Sequence, residues 1–330
     1  MTKSVAFTIA LIALFGLSGC MVGAFWSADG SFDRTLGVTS PVELDVATGS
    51  GSIEVRAGSM GEVRVHATIK ARDDMRSGAE EKIRYLEANP PIEMTGNLIR
   101  IGRIADPAFR NNVSISYEIQ VPQETKLSAS TGSGSHRIDG LRRDVDVTTG
   151  SGGINVSNVE GNVVARTGSG SIEIYSLTGR ADLQTGSGSI RADRIAGSVR
   201  AGTGSGQIDL DFTGAGQGTP VEVEARTGSG GIRLSGVYGS LRARTGSGSI
   251  RASGNPVREW EVDTSSGGVT LEMASGASFD LNARAGSGHL QVDLPVETRG
   301  KTGRNELVGK VRGGGSLVEV HTGSGSITIR

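Results

Sequence analysis

The tetrapeptide Thr-Gly-Ser-Gly constrains this chain more than any other feature. It opens, whole or slightly altered, at Thr48, Thr131, Thr149, Thr167, Thr185, Thr203, Thr227, Thr245, Thr264, Ala285 and Thr322. From Thr131 to Thr203 the step is 18 residues, four times running. A fixed period of this size specifies stacked units, one per repeat. Counting from the tetrapeptide's first residue, apolar side chains fill the slots four and two before it, then five and seven after it. The first of these columns runs Val145, Val163, Ala181, Val199, Val223, Leu241, Trp260, Leu281 and Val318. The third runs Ile154, Ile172, Ile190, Ile208, Ile232, Ile250, Val269, Leu290 and Ile327. Alternation with period two inside an 18-residue period describes strand, glycine turn, strand, second turn. One such coil cannot bury its apolar face alone, so neighbours must stack on it.

The expected fold is therefore an all-β parallel solenoid of about 18-residue coils. A right-handed winding is expected from the handedness of parallel crossovers. Glycine suits the sharp repeated reversal because it reaches positive φ without a Cβ clash. Small residues also let turns stack near the ~4.8 Å strand spacing, and hydroxyls can bond along the stack. Trp260 falls in a core slot between Leu241 and Leu281. The pieces Val159–Gly161, Leu177–Gly179, Ile195–Gly197 and Val237–Gly239 read as the second turn. Six residues after each Thr, Asn155, Glu173, Arg191 and Asp209 form an outward row that supports stacking in register, followed by Arg233 beside Arg251.

The flanks divide the chain. Residues 1–19 carry Lys3, then the apolar run VAFTIALIALFGL over 5–17, then Ser-Gly before Cys20. The run is too short for a comfortable membrane span and fits a secretory signal. The Leu17–Cys20 ending resembles a bacterial lipobox, which implies a lipidated Cys20 as mature N-terminus. Met21 behind it resembles outer-membrane sorting. Cys20 is the chain's one cysteine, so no internal disulfide exists. Residues 20–40 read as a tether, in which Phe25 and Trp26 either pack on the first strands or sit at the lipid interface. Residues 41–128 read as a β-rich N-terminal cap. It contains a strand over 62–70 with Val63, Val65, Ala67 and Ile69 on one face, a helix over 78–88 and a hairpin at Gly96-Asn97. Residues 129–330 are the solenoid. Their pattern breaks into a hairpin or loop over 295–315 before the last coil at Thr322.

Composition narrows the function. Glycine is 52 of 330 residues without a three-residue period, which excludes collagen. Lys+Arg is 34 against Asp+Glu 35, so no basic field for nucleic acid exists. A phosphate-loop reading of Gly-x-Gly fails because no helix follows to receive the phosphate. The calcium-roll reading fails because the ligand Asp is absent after Gly-Ser-Gly. His66, His136, His289 and His321 lack ligand spacing. No cofactor or metal is expected, and His136 reads as core or edge packing at the cap junction.

Two sets of residues remain as candidates. Arg166, Arg226, Arg244 and Arg284 share the slot just before the tetrapeptide and form a broken basic stripe, suited to anionic glycans or lipid head groups. The repeat lengthens in its second turn at TGAGQGTP, SGNPVREW and MASGASF, which contribute Gln217 and Arg258. Such one-edge insertions are either binding loops or surface slack. Asp193 and Asp211 occupy one slot on adjacent coils. They are the carboxylate pair a carbohydrate-active enzyme would need, or a solvated surface pair.

The segment Ile115–Gly134 (ISYEIQVPQETKLSASTGSG), followed by coils of the type TGSGGINVSNVEGNVVARTGSGSIEI, resembles the bacterial putative-adhesin family of β-helical domains of unknown function. It is similar also to the related head-domain family with a Gly-Ile-Asn-like repeat. The resemblance covers about residues 41–330. It implies a β-helix and offers no catalytic residues. The combined expectation is a non-enzymatic, lipid-anchored cell-envelope protein. It would present a repetitive surface for adhesion or for binding a glycan or envelope component. The alternatives are a carbohydrate-active enzyme and a purely structural role, with the exposed final coil pairing to a second copy.

Overall fold

The computed structural model describes residues 26–213, 218–298 and 303–330. Residues 1–19, where a signal segment is expected, and Cys20, Phe25 and Gln217 lie outside the described residues. The solenoid is present, and each coil is named here by the residue that opens its tetrapeptide. A leading strand such as Val163–Thr167 runs into the glycine turn, and a trailing strand such as Ile172–Thr178 runs out of it. Leading strands pair in parallel with leading strands of the next coil, Val163 on Ala181 and Thr167 on Thr185. Trailing strands do the same, Ile172 on Ile190. Two parallel sheets thus face each other across one core.

The four apolar columns fill that core. Ile172, Ile190 and Ile208 are fully buried, as are Ala165, Leu183 and Val163. Leu290 and Val292, in the outermost coil, are the half-buried exceptions. A further column was not anticipated. Val159, Leu177, Ile195 and Val237 are buried inside or beside the core, not in the turn where the sequence placed them. Just before each stands a residue with left-handed backbone: Asn158 (φ 53°), Ser176 (58°), Arg194 (58°) and Gly236 (72°). This bend swings the following side chain inward and extends the trailing strand by a corner.

The tetrapeptide works through contact more than through conformation. Gly152, Gly170 and Gly188 lie outside the left-handed region. A Cβ on Gly170 would sit 1.8 Å from the Gly152 carbonyl oxygen, and one on Gly168 2.4 Å from that of Gly150. Glycine is needed because the backbone of the previous coil occupies the space a side chain would take. The Thr points inward. Thr185 is buried, its Oγ1 donates to Gly170 O of the previous coil at 2.8 Å, and it accepts from Gly188 N of its own turn at 3.2 Å. Thr149, Thr167, Thr203 and Thr227 repeat both bonds. Each hydroxyl therefore satisfies one turn donor and one turn acceptor, most of them partly buried.

Both ends of the stack depart from chain order. The expected final coil is interior. Coil 322 pairs on one side with coil 264 (Trp260 on Val318, Thr264 on Thr322) and on the other with coil 285 (Leu281 on Val318). Trp260 therefore packs between Leu241 and Val318, not Leu281. Coil 285 is outermost. The strand Glu306–Val311 covers its leading strand in antiparallel fashion and pairs in turn with Val296–Thr298. The sequence cannot show this order, because coils 264, 285 and 322 carry interchangeable tetrapeptides.

The N-terminal end uses the same device. Coil 48 belongs to the solenoid, stacking directly on coil 131 (Thr48 on Thr131). Outside it lies a coil made of Leu98–Ile101 and Val113–Val121. A division at 128/129 would cut the strand Thr125–Thr131. The trailing sheet continues outward through Glu62–Asp73, whose Val63, Val65, Ala67 and Ile69 are buried as the alternation required. It ends on the strand Trp26–Gly37, paired along its whole length with that neighbour. This corrects the expected 20–40 tether. Phe32 is buried and Ala28, Gly30 and Leu36 half-buried on one face, with Ser27, Asp29, Ser31, Asp33 and Thr35 exposed on the other, an alternation that the tether reading overlooked. The helix spans Arg76–Ala88, burying Ala79, Lys82, Ile83 and Leu86. The hairpin turns at Gly96-Asn97 between Ile92–Thr95 and Leu98–Ile101.

Candidate functional site

The three insertions in the second turn come together. Phe212, Pro220 and Val221 from the first meet Gly254 and Asn255 from the second and Ala274 from the third. With Ile195, Val237 and Tyr238 of the regular coils they line one groove of about 830 Å³ on the second-turn edge. The regular 18-residue spacing builds a flat edge, and the lengthened coils raise a rim on it. Apolar side chains and glycines dominate the described lining, and Tyr238 is its one titratable residue. Arg258 is exposed beside it, its backbone N donating to Gly239 O at 3.3 Å.

The arginine stripe lies on the outer face of the leading sheet. Arg226 and Arg244 are direct neighbours there. Each arginine has a carboxylate: Arg166 reaches Asp182 at 3.7 Å, Arg226 reaches Glu224 at 2.7 Å and Arg284 reaches Glu306 at 2.5 Å. Arg244 and Arg242 share Glu261. Hydrogen bonds from Arg244 and then Arg242 hold the Glu261 carboxyl below its ordinary range, against a partial opposing effect of burial. The stripe is thus a laced, near-neutral surface, with each pair worth little in free energy at this exposure.

Asp193 and Asp211 are adjacent in register on the trailing sheet. Asp193 accepts from Arg191 Nε at 2.8 Å, and Asp211 Oδ1 accepts from Thr213 N at 2.7 Å. Both carboxylates have local structural partners. Arg191 therefore pairs within its own strand and not with Glu173. In the same outward row Asn155 donates to Glu173 at 3.2 Å and Arg233 meets Asp209 at 3.2 Å. Beside that row, the Arg194 guanidinium stacks 5.1 Å from the Tyr175 ring centre.

Among the described residues no three His, Cys, Asp or Glu side chains gather in a way that could hold a metal ion. His66 pairs with Asp33 at 2.8 Å. His136 stands in the isoleucine column, between Ile53 and Ile154, and is buried. Its Nε2 lies 3.0 Å from Thr148 O, which makes that nitrogen the donor, and Nδ1 has no partner. Burial pulls its pKa below the ordinary 6.5, partly offset by the bond to Thr148. The unfolded imidazole then binds its proton at higher pH than the folded one. Stability is complete above about 6.5 and falls as pH drops through that value toward the folded pKa, by up to about 1.4 kcal/mol per unit of separation. His136→Ile should remove this component. Denaturant unfolding from pH 8 to 5 should show a flatter stability profile for the variant than for the wild type; parallel profiles would refute it.

A parallel two-sheet solenoid with glycine-stacked turns and a one-edge groove defines the class of protein. The chain belongs to the Toastrack DUF4097 family, whose model matches residues 110–229 and 217–330. It is similar to a solved structure described as a putative adhesin from Parabacteroides distasonis ATCC 8503. That match covers 94% of this chain and 98% of the other, at 11% identity and a TM-score of 0.38. A second structure from that organism, described as a putative lipid binding protein, covers 91% and 97% at 10% identity and a TM-score of 0.37. A third, described as a putative cell adhesion protein from Clostridium sporogenes ATCC 15579, covers 90% and 97% at 11% identity and a TM-score of 0.23. Likeness at these values carries no argument about activity. No curated protein matches the chain.

Proposed function

We propose that this is a non-enzymatic, lipid-anchored envelope protein, and that it binds a glycan or another envelope or extracellular component in the second-turn groove. One observation carries the site: three separate insertions in a regular repeat converge on one concavity. Second turns of stacked coils adjoin in any case, and what favours a binding site is that the lengthened ones enclose a concavity of about 830 Å³. The chemistry of the lining supports binding over hydrolysis, since its described residues include no carboxylate, histidine or lysine to serve as acid or base. Apolar walls with a few polar groups are the usual makeup of a ligand groove. The anchor rests on the Leu-Ser-Gly-Cys20 ending, and the expected location is the outer membrane of a bacterium.

The test is a binding screen of the full-length chain against glycans and envelope components. Tyr238→Arg should lower affinity for any ligand found by about tenfold or more, equivalent to about 1.4 kcal/mol, with an unchanged melting temperature. Equal affinity of the folded variant would remove the groove from consideration. Acylation of Cys20 is read separately by mass: Cys20→Ser should lose the acyl mass and leave the membrane fraction.

A further inference from the structure

The ordered strand at Trp26 brings the folded protein close to its anchor. On the lipoprotein reading proposed above, only residues 21–25 separate the acylated Cys20 from that strand. Six Cα steps reach at most about 20 Å. A tether of that length cannot hold Trp26 far from the head groups, which themselves occupy several ångströms of depth on each side of the hydrocarbon.

The corner that this places at the membrane carries unusual side chains. Trp26 is 51% exposed and Met75 63% exposed, both large and apolar. Trp26 is registered opposite Asp73, two residues from Met75, so the two stand at one end of the same strand pair. The exposed Asp74 stands between Asp73 and Met75, while Arg72, registered opposite Ser27, lies one position further into the strand and on its other face. The corner is braced from inside. Lys82, buried in the helix, bonds Asp73 Oδ2 at 2.7 Å and the carbonyls of Arg72 and Asn111 at 3.2 Å each. Lys82 thus ties the strand end and the neighbouring loop to the middle of the helix.

We infer that this corner is a membrane-contact surface, with the Trp26 ring at head-group depth and Met75 beside it. Tryptophan favours this depth because its ring is apolar while its N–H keeps a polar partner. The consequence is an orientation. The N-terminal cap is membrane-proximal. The far edge of the trailing sheet, at Leu290–Val292, lies up to about 60 Å away at ~4.8 Å per strand.

The experiment uses the full-length acylated protein in phosphatidylethanolamine–phosphatidylglycerol vesicles with acyl chains brominated near the head group. The chain has two tryptophans, and Trp260 is buried, so a Trp260→Phe background leaves Trp26 as sole reporter. Should that variant fail to fold, wild-type emission minus that of Trp26→Phe isolates the same signal. Most of the Trp26 emission should be lost relative to unbrominated vesicles, and the Trp26 spectrum should move to the blue. Acylated protein with unquenched Trp26 overturns the contact while leaving the anchor intact. Absence of acyl mass on Cys20 overturns both. A blue shift that appears in lipid-free Cys20→Ser protein and grows with its concentration would assign the corner to a second copy instead.

Discussion

Gly170→Ala should cost more than about 4 kcal/mol or abolish folding, an effect far outside that of an ordinary glycine substitution. The added Cβ would lie 1.8 Å from the Gly152 carbonyl oxygen and 2.4 Å from its carbon. Both atoms are backbone of the adjacent coil, so no rotamer change relieves the overlap. The coils must separate, and separation lengthens the ladder bonds and the paired Thr hydroxyl bonds together. Gly202→Ala supplies the control. It stands on the outer face just before Thr203 with no atom within 4 Å of the added Cβ. That change should be neutral or stabilise by up to about 1 kcal/mol, because alanine restricts the unfolded chain. Denaturant unfolding of the two variants measures the contrast. Equal midpoints would mean that the turns do not stack as described.

Removal of residues 316–330 should disrupt the C-terminal third, although it takes away only the last stretch of chain. In a solenoid wound in simple sequence order, this deletion would trim an end coil and leave the rest folded. Here coil 322 is the layer between coils 264 and 285. Its loss uncovers Trp260, which is fully buried against Val318. It also detaches coil 285 and the Glu306–Val311 strand from the stack. Truncation of a fully buried Trp alone costs about 3–5 kcal/mol, and the detached coil adds the loss of two parallel ladders. The expected results are red-shifted Trp260 emission and rapid amide exchange over residues 279–298 and 306–311. Native emission and protected amides in the truncated chain would contradict the interleaved order.

Much of the architecture was legible because its cause is local and repeated. Ile172, Ile190 and Ile208 occupy one slot because every coil needs the same volume in the same place. That repetition is visible without coordinates. The bend at Asn158, Ser176 and Arg194 was not legible. Asn158 and the Gly at 140 and 236 hint at left-handed backbone in this column, but Ser176 and Arg194 belong to no such preference and hide it. The strand Trp26–Gly37 was overlooked although Ala28, Phe32 and Leu36 share one face, because that face is thin in apolar volume, holding Gly30 and Arg34 between them. The candidate site was legible in part. The insertions marked the correct edge and, on coils that stack in chain order, their own proximity, whereas the concavity that they enclose with Ile195 and Tyr238 was not legible.

The Thr-Gly-Ser-Gly period by itself determined that the chain stacks into coils, which faces are apolar and where the stack is irregular. Those properties follow from the chemistry of each position and its fixed spacing. Three things were decided only in the tertiary structure: the order of the end coils, the partners that neutralise Arg166, Arg226, Arg244 and Arg284, and the concavity that three loops enclose. Each depends on which coil lies next to which. Coils with nearly identical tetrapeptides give the sequence no means of naming their neighbour, so that choice falls to the packing of Trp260, Val318 and Leu281 and to the strands that seal each end.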